Sequence, residues 1–309
     1  MTSDDPASDP SVAEALGALD VLRLATWQGA VRSGRLRLTE RVAEVCAEQL
    51  CLPPEVPPRG VGTGPGDGWL SGAEPGEGDH VVLDVAAQFS VDVAALSDRQ
   101  RDDFFGWVGD QAADVAAMVF VMDFFPRVRA AAGSLSDTAE PLVPPDAPSD
   151  PGETSVWGAI DSFSRAVARI RALDPVTTEL VRLRGARQHQ CRLCMSVRSR
   201  AALAAGADDE LFGAVDDYEE SGCTPLQRAA LAFTDAMIWT PGRLDAVAPR
   251  LIASAAAEER MAVVLNVTRN ALNKIAVALR ADGPHVDEGV ELFDVDREGN
   301  VVYGAAVDG

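Results

Sequence analysis

The chain of 309 residues is poor in lysine and in long apolar runs, and both absences exclude classes of function. Lys274 is its only lysine, and 27 basic residues against 48 acidic ones give a net charge of −21. Because such a surface repels polyanions, we expect no nucleic-acid partner. The longest apolar run, residues 115–122, ends at Asp123. It is far shorter than the ~20 residues that a bilayer requires, so we expect no membrane partner.

Cysteine is also scarce, with five residues at positions 46, 51, 191, 194 and 223. They are too few and too unevenly spaced for the disulfide framework of a small secreted domain. The amino terminus is acidic, whereas a secretion signal would be basic and then apolar. These features predict a cytoplasmic protein. In a reducing compartment, a close pair of cysteines indicates redox chemistry or metal binding.

Glycine and proline are concentrated in two stretches. Residues 51–80 contain 8 Gly and 6 Pro, which predicts a long loop. A second stretch rich in Pro, Ser and acidic residues has the composition of a linker. The predicted organisation is a disordered tail (1–10), a helical domain (11–132), a linker (133–157), a catalytic domain (158–285) and a C-terminal hairpin or tail (286–309).

Between these breaks the apolar residues recur with a helical period. Ser97 and Thr224 are each followed three residues later by Gln, a spacing typical of capping boxes at helix starts. Residues 261–279 carry one continuous apolar stripe, which predicts a core helix. Only residues 292–303 alternate, around Glu-Gly-Asn, as a hairpin does. The sequence therefore predicts an all-α fold with a small C-terminal β-hairpin.

A weak internal similarity suggests two related halves. Residues 39–51 resemble residues 178–191, with a step from Glu to Cys of eleven residues in the first and twelve in the second. A long apolar helix follows each segment. We interpret the first half as a degenerate copy without the second cysteine; the alternative is chance similarity between helices rich in Ala and Val.

The densest chemical signal is Cys191-Arg-Leu-Cys194. On a helix, residues three apart share a face with β-carbons roughly 5–6 Å apart, so a reversible disulfide is feasible. The pair is predicted in the first turn of a helix that runs to about Ala204, where free N–H groups and the helix dipole stabilise a thiolate. Arg198, one turn after Cys194, should lower the pKa of that thiol.

Two further residues are candidates for moving protons. Glu179 lies twelve residues before Cys191, and a helix-turn-helix could return its carboxylate to the thiols. His189 is the histidine nearest to the pair in sequence and could share this role. General acid–base help of this kind contributes about 10²–10⁴ in rate.

The step from Glu179 to Cys191, followed by Cys-x-x-Cys on a helical chain, resembles the AhpD-like, carboxymuconolactone decarboxylase superfamily. The resemblance covers about residues 156–284. It implies an all-α bundle that forms homo-oligomers, often trimers or hexamers. It also implies a dithiol that reduces a hydroperoxide or disulfide and is recharged by a thiol or lipoyl-type donor. By position, Cys194 would attack and become a sulfenic acid, Cys191 would resolve it, and Glu179 would relay protons.

One position departs from that pattern, because Arg198 stands where the redox branch has histidine. Arginine can hold a thiolate but cannot cycle protons near neutral pH, so His189 or water would have to replace the lost relay.

Several alternatives remain open. The cysteines could be packing residues, or they could bind zinc with Cys223 and His189, although a structural zinc site usually has a second paired ligand set. The chain could be a lactone decarboxylase or a non-catalytic helical oligomeric module. No cofactor is predicted, since the glycine-rich residues 60–78 lack the strand-turn-helix setting of a phosphate cradle.

Overall fold

Helices form most of the structure, a computed structural model that describes residues 10–58, 61, 76, 78–136, 154–286 and 288–304. The first half contains α1 (Pro10–Arg32), α2 (Leu36–Leu50), α3 (Asp79–Asp92), α4 (Asp98–Val108) and α5 (Ala112–Leu135). Short 3₁₀ turns lie at Val93–Ala95, Gly109–Gln111 and Pro241–Ala246. The all-α prediction is confirmed. Most of the predicted tail, loop and linker lies outside the described residues.

The second half contains the helices around the cysteine pair. They are α6 (Val156–Ala168), α7 (Pro175–Gln188), α8 (Arg192–Met195), α9 (Arg200–Ala204), α10 (Asp209–Gly213), α11 (Pro225–Trp239), α12 (Ala248–Ser254), α13 (Ala257–Ala271) and α14 (Asn273–Ala278). A small sheet is formed by β1 (Val197–Ser199), β2 (Glu291–Val295) and β3 (Val301–Tyr303).

Side-chain caps begin the helices where the sequence predicts them. Ser97 and Thr224 each accept a hydrogen bond at 3.2 Å from the backbone N–H three residues later. The Gln side chain at that position accepts one from the backbone N–H of the cap residue, so both capping boxes are confirmed. Asp174 caps α7 by accepting from the Thr177 N–H at 2.9 Å. At the other end of α7, Gln190 has a φ of 53°, which turns the chain sharply into Cys191.

Helices from both halves build one hydrophobic core. Helix α1 packs against α6, and α5 packs against α13 and α14. Buried apolar residues of one continuous cluster come from α1, α5, α6 and α13, among them Leu22, Phe120, Phe163 and Val264. Helix α7 lies between α11 and α13, and it also contributes Leu180 to a smaller cluster. The segment that carries the two cysteines therefore follows a helix that is packed on several sides.

The C-terminal hairpin is confirmed and joins the segment that follows the cysteines. Strand β2 pairs antiparallel with β3, and β1 pairs parallel with β2 in the register Val197 to Glu291. Gly299 has a φ of 89° in the hairpin turn, where a Cβ would collide with the Arg165 carbonyl of α6. The hairpin therefore lies directly over the second half.

The predicted single helix from the cysteine pair to Ala204 is wrong. Helix α8 ends at Met195, β1 follows, and α9 begins only at Arg200, with Ser199 as its cap. The physical reason is that the backbone of this segment forms hydrogen bonds outside a helix. Strand β1 pairs with β2, and Arg182 donates hydrogen bonds to the carbonyl oxygens of Cys194 and Val197. Across the described part of the chain, no helix is both long and apolar enough to cross a bilayer.

Candidate functional site

The two cysteines of the Cys-x-x-Cys motif lie within disulfide-bonding distance. Their α-carbons are 5.3 Å apart, inside the range that a disulfide requires. Cys191 precedes α8 as its cap, and its sulfur accepts a hydrogen bond from the Cys194 N–H at 3.2 Å. Cys191 is buried, whereas Cys194 is partly exposed. Cys194 is therefore the more accessible residue of the pair.

Asp282, just after α14, occupies the beginning of α8. Its carboxylate accepts from the Arg192 N–H at 3.0 Å and from the Arg192 guanidinium at 2.8 Å, and its carbonyl accepts from the Leu193 N–H at 2.9 Å. Burial acts to raise the pKa of Asp282, but the bonds from Arg192 outweigh burial and hold this pKa below its usual range. The N–H groups that sequence reasoning assigned to a thiolate are thus partly used by a carboxylate.

Glu179 is buried on α7 and forms a two-pronged ion pair with Arg182, at 2.6 and 2.8 Å. Arg182 also donates to the carbonyl oxygens of Cys194 at 2.7 Å and Val197 at 2.9 Å. The Ser199 N–H donates to the Glu179 carboxylate at 3.2 Å. The structure therefore links Glu179 to the cysteine segment through Arg182 and the backbone. The proton-relay role of Glu179 stays a prediction.

His189 is brought to α14. It is buried, and its Nδ1 lies 2.9 Å from Oδ1 of Asn273. Burial and the nearby positive charge of Lys274 lower the pKa of His189 to about 3. The imidazole is therefore neutral at physiological pH, and the hydrogen bond to Asn273 orients it.

Arg198 lies against the backbone of the cysteine segment. Its guanidinium donates to the carbonyl oxygens of Met195 at 2.7 Å and Val197 at 2.8 Å, and it stacks 5.5 Å from the centroid of the Phe212 ring. Burial and the neighbouring Arg182 lower the pKa of Arg198. These contacts stabilise the α8–β1 connection, and the predicted effect of Arg198 on the pKa of Cys194 stays a prediction.

Two cavities that share part of their lining lie near the cysteine segment. One of about 240 Å³ is lined by both cysteines, and the other, of about 270 Å³, is lined by Glu179. The residues shared by both cavities are Arg182, Arg269, Asn270 and Phe293. The predicted site residues Cys191, Cys194 and Glu179 are thus brought around one pair of cavities, with Arg182 between them.

The chain is similar in sequence to two proteins of Mycobacterium tuberculosis. Uncharacterized protein MT2376 of Mycobacterium tuberculosis (strain CDC 1551 / Oshkosh) and Uncharacterized protein Rv2313c of Mycobacterium tuberculosis (strain ATCC 25618 / H37Rv) are each 38% identical to it over 279 residues. The matches cover 89% of this chain and 95% of each relative. The chain belongs to the same protein family as these two mycobacterial proteins. No protein-family model matches it, and no solved structure matches it.

Several polar residues of the candidate site were not predicted from the sequence. Arg182 is detectable in principle, because it lies three residues after Glu179, the spacing of a helical ion pair. Arg269 and Asn270 lie within residues 261–279, where the apolar stripe predicts a core helix and gives no sign of a polar site. Asp282 has no local signal, because the residue that it binds, Arg192, is 90 positions away.

Acidification should destabilise the protein through His189. Its pKa is lowered on folding, so the unfolded chain binds the proton first, and the stability present above about pH 6.5 is lost as the pH falls toward about 3. One such proton changes the free energy of unfolding by at most about 1.4 kcal/mol per pH unit. Urea denaturation at about pH 7 and about pH 5 measures this slope.

The matched variants are His189→Gln and His285→Gln, the latter at a half-exposed histidine. We expect His189→Gln to reduce the difference in the free energy of unfolding between the two pH values. His285→Gln should leave this difference unchanged. Equal slopes in the wild type and His189→Gln would contradict the assignment.

Proposed function

We propose that this protein is a thiol-dependent oxidoreductase of the AhpD-like type, which reduces a hydroperoxide or a disulfide with Cys194 and Cys191. The observation that carries the proposal is the pairing of a partly exposed Cys194 with a buried Cys191 at the edge of a cavity. An accessible thiol next to a resolving cysteine is the arrangement typical of reversible thiol oxidation.

The proposed reaction runs in three balanced steps. The Cys194 thiolate attacks the terminal oxygen of a hydroperoxide, so that an S–O bond forms, the O–O bond breaks and the alcohol leaves with one proton. The Cys191 thiol then attacks the resulting sulfenic acid, which forms the disulfide and releases water. A dithiol donor of the lipoyl type reduces this disulfide by exchange and is itself oxidised to a disulfide.

The contacts of the site support specific roles. Arg182 donates a hydrogen bond to the carbonyl of Cys194 and is itself held by an ion pair with Glu179. Arg182 and Glu179 together therefore position Cys194, the proposed attacking residue. We assign the proton relay to Glu179 or water. His189 is buried in its neutral form and hydrogen-bonded to Asn273, which is a poor position for proton exchange with the cavity.

A cytoplasmic, homo-oligomeric enzyme fits this proposal. A reducing compartment supplies the thiols that recharge the disulfide. Three tryptophans are exposed by 40–51%, an unusual exposure for such large apolar side chains, and this favours a contact between copies. They are Trp107, Trp157 and Trp239.

A thiol count tests the proposal: the protein is reduced, exposed to hydroperoxide while folded, and then denatured so that all remaining thiols can be titrated. We expect exposure to one equivalent of hydroperoxide to remove two of the five thiols. Cys191→Ser and Cys194→Ser should each abolish the loss of the pair. Cys51→Ser, at an exposed cysteine outside the motif, is the matched control and should still lose two. An unchanged thiol count in the wild-type protein would refute the function.

A further inference from the structure

The cavity beside the disulfide is cationic in a strongly anionic protein. Among the described residues that line it, Arg182 and Arg269 are basic and none is acidic. The chain as a whole has a net charge of −21, so this lining is a local exception to its composition. The field inside the cavity therefore favours an anion, whereas the surface around it repels one.

The two arginines differ in their hydrogen-bond and ion-pair partners. Arg182 is engaged by the Glu179 carboxylate and by two carbonyl oxygens. Arg269, on α13, donates from Nε to the Ser164 hydroxyl at 3.2 Å, and within the described ranges no carboxylate lies within ion-pair distance of it. Burial and the like charge of Arg182 lower the pKa of Arg269 to about 10, yet it remains charged at neutral pH. Arg269 is therefore a half-buried cation that lacks a counter-ion.

Amide donors lie beside this cation. The Nδ2 atoms of Asn270 and Asn273 are buried and have no hydrogen-bond partner among the described residues, and both side chains line the cavity. The oxygen of Asn273 is already used by His189, which leaves Nδ2 as the free end of that amide. Donors without acceptors, next to an unpaired guanidinium, match the needs of a carboxylate.

Most of the remaining cavity wall is apolar. Leu272 and Ala276 face it from the α13–α14 side, and Phe293, Val301 and Tyr303 face it from the hairpin. At about 240 Å³, the space suits a small ligand with a short apolar chain. A bare inorganic anion would leave this wall unused.

We propose that the cavity binds an organic carboxylate with an apolar chain, its carboxylate on Arg269 and Asn270 and its chain against Phe293 and Leu272. Under the proposed function, this ligand is the organic part of the hydroperoxide or disulfide. That assignment as substrate rests on the proposed function, whereas the binding site itself does not.

Titration calorimetry of the oxidised protein with octanoate tests the site. Octanoate carries no peroxide or sulfur, so its binding is independent of thiol chemistry and can fail or succeed separately from the proposed function. We expect one octanoate per chain, and much weaker binding of acetate and of octanol, which lack the chain and the charge respectively. Octanol that binds as tightly as octanoate would overturn the carboxylate contact, and equally tight acetate would overturn the apolar one.

Variants locate the site. Arg269→Gln should weaken octanoate binding roughly tenfold or more, the usual effect of losing a charged hydrogen bond. Arg99→Gln, at a side chain 91% exposed on α4, is the matched control and should bind as the wild type does. Equal affinity in Arg269→Gln and the wild type would overturn the proposal.

A second measurement covers the case in which Arg269→Gln fails to fold. In the reduced wild-type protein, saturating octanoate should slow alkylation of Cys194 by iodoacetamide several-fold, because the bound chain lies beside that sulfur. Octanol at the same concentration should not. An alkylation rate that octanoate leaves unchanged would place the ligand elsewhere and refute the site.

Discussion

Replacing Asp123 by asparagine is expected to lower the free energy of unfolding by about 3–5 kcal/mol, the usual cost of breaking a buried ion pair. Asp123 is fully buried in α5. One carboxylate oxygen accepts from Arg127 at 2.8 and 3.1 Å, and the other accepts from Lys274 at 2.5 Å. The substitution removes the negative charge and leaves two buried cations, which makes it more costly than the loss of an exposed pair.

The surroundings of this cluster show why the cations cannot escape to water. Arg127 also donates to the carbonyl oxygens of Ser90 at 2.7 Å and Met237 at 3.0 Å, and the Lys274 ammonium lies 4.4 Å from the centroid of the Phe89 ring. Burial lowers the pKa of Lys274 to about 8, although Asp123 opposes the change. Burial also acts to raise the pKa of Asp123, but Arg127 and Lys274 outweigh it and hold that pKa below its usual range.

Urea denaturation at neutral pH, followed by circular dichroism, measures the effect. Lys274→Met is the matched control, because it removes one cation and leaves Asp123 paired with Arg127. Because the remaining Asp123 and Arg127 compensate each other, this variant leaves no unpaired charge in the core, and we expect a much smaller loss than for Asp123→Asn. A stability of Asp123→Asn within about 1 kcal/mol of the wild type would show that the cluster is not held by this charge.

Local features of the sequence were sufficient to predict the all-helical class, the helix starts at Ser97 and Thr224, and the hairpin. The capping boxes at Ser97 and Thr224 depend on residues only three positions apart, and the turn of the hairpin is marked by Gly299. Such signals are complete within a few residues, so one sequence shows them. The all-helical class follows from the same local periodicity.

Features that depend on distant partners could not be predicted. The break between α8 and α9 exists because β1 pairs with a strand that begins at Glu291, and the sequence around Val197 carries no sign of that partner. The pairing of Lys274 with Asp123 spans 151 positions. Lys274 is conspicuous as the single lysine, yet the sequence cannot show what it binds.

The candidate site likewise has features that the local sequence predicts and features that depend on distant residues. The Cys-x-x-Cys spacing encodes a feasible disulfide, and the structure places the two sulfurs within bonding distance. The spacing does not encode the surroundings of that disulfide, since Asp282, Arg269 and Asn270 come from chain segments far from the motif. The chemistry of the pair is therefore a local property, whereas its electrostatics and its cavity are properties of the tertiary fold.

Under the proposed function, replacing Glu179 by glutamine should reduce the rate of hydroperoxide reduction by about 10²–10⁴, the contribution of a general acid–base group. Glutamine keeps the size of the side chain and an oxygen that can accept from Arg182 or the Ser199 N–H, but it cannot exchange a proton. The proposed reaction must protonate the departing alkoxide, so the loss of the carboxyl group should slow this step. Steady-state turnover of a hydroperoxide with a dithiol donor measures the rate.

Alkylation of Cys194 by iodoacetamide separates the relay from a purely positioning role. Alkylation needs an accessible thiolate held in place, but it does not need a proton delivered to a leaving alkoxide. We expect the alkylation rate of Glu179→Gln to stay within a few-fold of the wild type while turnover collapses. Glu219→Gln, which removes one member of an exposed pair with Arg250, is the matched control and should change neither rate. A parallel fall of both rates would instead mean that Glu179 acts only by holding Arg182 against the Cys194 carbonyl.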